Sequence, residues 1–131
     1  GTWNTRKLGS TGDPQKLTVD PELKMRDMIA QWKSWEWDVV LLTDTNWPDI
    51  EIREYKTDHG TWVIAVGGKV AIALAPHTAA QWRNGPGGGQ WRPGNARANE
   101  PPRCMTLTMP RRGRIRGHHF VCVYNHISAK D

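Results

Sequence analysis

Residues Trp37–Trp47 read WDVVLLTDTNW, and the fold turns on how this stretch is read. Val39 to Thr43 is nearly all apolar and of strand length, as expected for a strand covered on both faces. It runs straight into Asp44. The opening GTWNTRKL does the same, with Trp3 leading into Asn4. Strand interiors disfavour Asp and Asn. At strand ends these residues have two uses: they start turns by bonding their own backbone, or they face the edge of a layered sheet where ligands bind. Both uses stay open for Asn4 and Asp44 at this point.

Outward from that strand, GSTGDPQ has the composition of a loop. Asp20-Pro21 then marks a helix start, an N-cap acceptor followed by proline at the first helical position. Met25, Met28, Ile29 and Trp32 recur at helical spacing, which predicts a helix over Pro21–Lys33 with one packed face. REYKTDHGTWVIAV reads as a strand or a pair of short ones broken near His59-Gly60, and GGKVAIALAP as a further strand that Pro76 stops. Residues 84–102, rich in Gly and Pro, read as an irregular loop. RCMTLTMPRRGRIRGHHFVCVYNH reads as an antiparallel hairpin with a basic turn. In its second strand Phe120, Cys122 and Tyr124 share one face and Val121 and Val123 the other, so the pattern predicts a central strand. One helix among about six strands makes a sheet-rich α+β layered fold. Strands Val39–Thr43, Val70–Ala75 and Phe120–Tyr124 are expected in one sheet, with the helix covering it.

The 131 residues suffice for one domain with a single core. A mean hydropathy of −0.67 and the absence of an apolar run near the ~18–20 residues of a bilayer span argue against a membrane-embedded chain. Two cysteines, Cys104 and Cys122, do not make a disulfide framework, and a reducing intracellular compartment is the default expectation. The formal charge of +5 is uneven: between Trp82 and Arg116 stand eight Arg, no Lys and one acid, Glu100. Arg103, Arg111, Arg112, Arg114 and Arg116 are therefore candidate contacts to nucleic acid or another anion, since Arg binds phosphate bidentately. A solvated basic loop is the alternative.

Taken in order, these segments resemble the endonuclease/exonuclease/phosphatase family, metal-dependent phosphodiesterases with a four-layered α/β sandwich. TWNTRKL looks like its opening Trp-Asn-x-x-x-Leu motif, and WDVVLLTDT like its Asp-(apolar)-Leu-Gln-Glu-Thr strand. VAIALAP resembles its Gly-led apolar strand, FVCVYNH its (apolar)-Val-Tyr-Ala-Pro strand, and the mobile-element members are nearest in tone. The resemblance implies that Asn4 lies beside a scissile phosphate, that Asp44 stands where the family has a Mg2+-binding Glu, and that Tyr124 is the strand-end tyrosine. Mg2+ would polarise the phosphoryl oxygen, with the amide and the phenol bonding the developing charge.

The departures from the family pattern are specific. Asp44 is one methylene shorter than Glu, and Asn125-His126 replaces Ala-Pro. The family's Gly-Asp-x-Asn and Ser-Asp-His motifs follow its tyrosine strand, and the chain ends seven residues after Tyr124. Thr57-Asp58-His59 and Gly12-Asp13-Pro14-Gln15 echo them but come too early in chain order. The expectation is the first half of such a domain, inactive alone, with Mg2+ weakly held or absent. Its bare sheet face would then be covered by a missing C-terminal half, a second copy or other subunits. The competing expectation is a non-catalytic accessory subunit descended from such a domain. A zinc site at His118, His119, Cys122 and His126 is disfavoured, because His118 and Cys122 on one strand lie about 13 Å apart.

Overall fold

In the computed structural model, residues 1–4, 21–85, 89–94, 103–110 and 117–123 are described, except for the side chains of Asn4, Pro21, Pro48 and His118. The elements are β1 (Thr2–Asn4), α1 (Pro21–Ser34), β2 (Val39–Thr57), β3 (Gly60–Leu74), α2 (Pro76–Arg83), β4 (Gln90–Pro93), β5 (Cys104–Met109) and β6 (His118–Val123). They form two sheets, β1-β2-β3 and β4-β5-β6. The architecture is mixed α+β and sheet-rich.

Helix α1 forms where the apolar spacing predicts it, with Glu22 in its first turn and Lys33 in its last, each suited to the helix dipole. It ends in a Schellman arrangement: Glu36 takes a left-handed φ of 57°, its N–H donates to Lys33 O at 2.9 Å, and the Trp37 N–H donates to Trp32 O at 3.0 Å. Met25, Met28, Ile29 and Trp32 are all buried and pack on one face of the first sheet, against Val40, Leu42, Tyr55, Trp62, Ile64 and Val66. The opposite face, with Val63, Ala65, Val70, Ile72 and Leu74, packs against Met105, Leu107 and Cys122 of the second sheet and Trp82 of α2. The first sheet is thus the middle of three layers. Val39–Thr43 is covered on both sides, as its apolar run predicts.

β2 and β3 change phase partway along. Trp62, Ile64 and Val66 face α1, but beyond the glycine pair it is Ala71, Ala73 and Ala75 that do so. The pairing register slips between Thr43 and Trp47 and again between Trp47 and Glu51. At about 3.3 Å per residue a straight strand of this length would span roughly 50 Å. Yet the two ends of β3 meet: a Cβ on Gly60 would lie 2.7 Å from the Pro76 Cβ. The β2–β3 ribbon therefore folds back on itself at Gly67-Gly68, where Gly68 has a φ of 61°.

The structure corrects several expectations. β6 is not in the sheet of β2 and β3; it is the outer strand of the second sheet, stacked on the first. It is an edge and not a central strand: Phe120 and Cys122 turn inward, while Val121 and Val123 are about half exposed. Pro76 does not merely stop a strand; it opens α2, preset for the first helical position. Within the Gly/Pro-rich segment 84–102, β4 forms at Gln90–Pro93, tied to α2 by the Trp82 indole N–H donating to Gln90 O at 3.0 Å. The expectation of no disulfide framework holds: Cys104 and Cys122 are both free thiols, Cys122 buried and Cys104 half-buried. The outer face of the second sheet is mixed, with Gln90, Arg92, Thr106 and Thr108 beside the valines.

Candidate functional site at the carboxyl ends of β1 and β2

β1 and β2 run parallel, with Thr2 opposite Leu41, Trp3 opposite Leu42 and Asn4 opposite Thr43. Asn4 and Asp44 thus come to the same end of the sheet, one residue out of step. The amino end of β1 is pinned by the Gly1 ammonium donating to Val39 O at 2.7 Å and the Leu41 N–H donating to Gly1 O at 2.8 Å.

Past Thr43 the backbone turns sharply. Asp44 has a φ of 58° and Asn46 a φ of 50°. Among non-glycine residues, Asp and Asn adopt this left-handed region most readily. Between them Thr45 is fully buried, and its hydroxyl donates to Gly68 O at 2.7 Å. The Lys69 ammonium donates to Asn46 Oδ1 at 2.7 Å. The chain from Asp44 to Asn46 is in this way clamped onto the Gly67-Gly68 fold-back. Replacing Thr45 by Val keeps the shape but strands the buried Gly68 carbonyl. Chemical denaturation is expected to show a loss of about 1–2 kcal/mol, and an unchanged midpoint would mean the clamp is idle.

A second polar group flanks the same ribbon. The Trp47 indole N–H donates to Glu51 Oε1 at 3.0 Å, and the Arg53 guanidinium lies 5.3 Å from the centre of the Trp47 ring. Arg53 also pairs with Glu51 at 3.3 Å and with Glu22 of α1. The Tyr55 hydroxyl reaches Glu22 Oε1 at 3.4 Å, and burial followed by the Glu22 charge pushes the phenol above its usual value. This network locks α1 to β2. Its sequence signature is the period-2 spacing of Glu51, Arg53 and Tyr55 along one strand; Asn46 and Lys69 carry no motif, since only the fold-back brings them together.

Tyr124 lies outside the described residues, as do Arg111, Arg112, Arg114 and Arg116. Within β6 the buried Cys122 thiol donates to Leu42 O at 3.2 Å. Arg103 is exposed just ahead of β5, remote in sequence from Asn4 and Asp44. Cys122 and His119 point to opposite sides of β6, His119 outward with its Nδ1 3.1 Å from the Thr108 hydroxyl. Among the described residues no group of three His, Cys, Asp or Glu is placed to hold a metal ion. No helix among them is long and apolar enough to cross a membrane.

Compared with known proteins, the chain matches no family model, and no curated protein or solved structure shows significant similarity to it.

Proposed function

We propose that this chain carries one half of a metal-dependent phosphodiester-cleaving site of the endonuclease/exonuclease/phosphatase kind, built at the carboxyl ends of β1 and β2. One observation carries the reading: the parallel register that seats Asn4 beside Thr43 and brings Asp44 to the same edge. Ligands of open α/β sheets gather at carboxyl edges of this sort. Mg2+ in phosphate chemistry is held by as few as one or two carboxylates, with water and phosphate oxygens completing the shell. The single carboxylate of Asp44 fits that minimal role, and the ion would there polarise a phosphoryl oxygen. Asn4 would orient the phosphate by its amide, and Tyr124 would bond the same group from the end of β6.

A second reading has its own observation. Thr45 and Asn46 are already committed to Gly68 and Lys69, so the corner is braced in the way a structural subunit needs.

A Mn2+ titration of the 15N-labelled chain separates them. In the phosphodiesterase reading the amides of Asn4, Asp44 and Thr45 broaden first, Asp44→Asn removes the effect, and plasmid is left uncut, since half a site lacks the general base that typically contributes 10²–10⁴-fold. Broadening confined to other residues favours the structural subunit.

A further inference from the structure

We infer that the open face of the second sheet is a sequence-independent docking surface for the phosphate backbone of duplex nucleic acid. It is separate from the β1–β2 corner and independent of any metal there. Cross-strand pairing sets its outward side chains in rows: Gln90, Thr108 and His119 in one, Arg92, Thr106 and Val121 in the next. These rows border a broad depression of about 720 Å3 lined by Gln90, Trp91, Arg92, Thr106, Thr108 and His119. The contact of 3.1 Å between the Thr108 hydroxyl and His119 Nδ1 orients the imidazole.

Charge selects the occupant. From Gln90 to Val123 the sequence holds seven Arg and one acid, and none of the described residues of this sheet is acidic. Among the described residues Arg92 and Arg103 enter no ion pair, whereas Arg53 and Arg83 are each held by a glutamate. Arg, Thr and Gln side chains are the donors that proteins use on phosphate oxygens. The aromatic residues decide between duplex and single strand. Platforms for single strands stack bases on outward rings, whereas Trp91 and Phe120 both pack against the core between the sheets, Trp91 half-buried with part of its ring bordering the depression. Membrane insertion calls for bulky apolar residues on the binding face, and among the described residues this one exposes Val121 and Val123 alone, with half-buried Trp91 at the edge of its polar rows.

The test is fluorescence anisotropy of residues 1–131 with a labelled random-sequence 20-bp duplex, in EDTA, over a NaCl series. EDTA keeps the result apart from the fate of the proposed metal corner. Arg92→Ala is expected to weaken binding about 3–10-fold and to reduce the salt slope by about 0.9, the share of one phosphate contact. Thr106→Val with Thr108→Val should weaken it further. Lys56→Ala, on the α1 side of the molecule, serves as the control and should leave both unchanged. The inference is overturned if Arg92→Ala binds like the parent, if an oligo(dT) strand binds as tightly as the duplex, or if anionic phosphatidylserine vesicles bind at a salt concentration where the duplex does not. Circular dichroism of each variant confirms folding, and Arg92, being exposed, is not needed for it.

Discussion

Replacing Trp32 by Ala should remove about 3–5 kcal/mol of stability, the range for deleting a fully buried large side chain. Domains of ordinary size hold about 5–15 kcal/mol in all, so this change consumes about a fifth or more. Trp32 is completely buried on the inner face of α1. Its ring centre lies 5.9 Å from that of Trp62 on β3 and 6.4 Å, edge-on, from that of Trp3 on β1. It thus joins the helix to both outer strands of the first sheet, and its loss would open a cavity under the helix and undock β1. The indole N–H of Trp32 finds no acceptor among the described residues. Trp32→Phe removes that donor and keeps most of the ring, so the desolvation saved offsets the volume lost and the net cost should stay below about 1.5 kcal/mol. Urea denaturation of the two variants checks the pair. If Phe costs as much as Ala, the N–H has a partner; if Ala costs under about 1 kcal/mol, α1 does not carry the core.

Alkaline pH should destabilise the protein through Cys122. Its thiol is buried between the sheets, and burial pushes its pKa up from 9.0 to about 11. The folded state therefore keeps a proton that the unfolded chain releases, so the stabilisation is complete below 9.0, falls as the pH rises from there and is gone near 11. Two pH units correspond to about 2–3 kcal/mol. Tyr55, whose phenol is also raised by burial and by Glu22, adds a loss of the same sign at higher pH. Urea midpoints from pH 7 to 10.5 under reducing conditions should fall for the parent and fall distinctly less for Cys122→Ala. Parallel curves for the two proteins would refute a buried, neutral thiol. In the native state at pH 8, Cys104 should react with a thiol reagent while Cys122 stays protected until the chain unfolds.

The strand Val39–Thr43, helix α1 and the break in the strand pattern near His59-Gly60 are legible in the sequence because each follows from local physics. A short apolar run needs cover on both faces, residues spaced three and four apart need one partner surface, and a turn needs residues that tolerate it. So is the uneven charge, since counting Arg against acid requires no geometry. The two-sheet stacking is not legible. Phe120 to Val123 is apolar on both sides, which suits a central strand and an edge strand with exposed valines alike, and only packing of Phe120 and Cys122 onto the face of the first sheet that carries Val70 and Ile72 chose the edge. Nor is the fold-back of β2 and β3, because Gly67-Gly68 is as good a strand opening as a hinge until Thr45, Asn46 and Trp47 meet it. The same holds for the corner of Asn4 and Asp44. The residue types are written in the chain, but their sharing one edge depends on a parallel pairing across some forty residues, which local preference does not encode and the burial of α1 against both strands does.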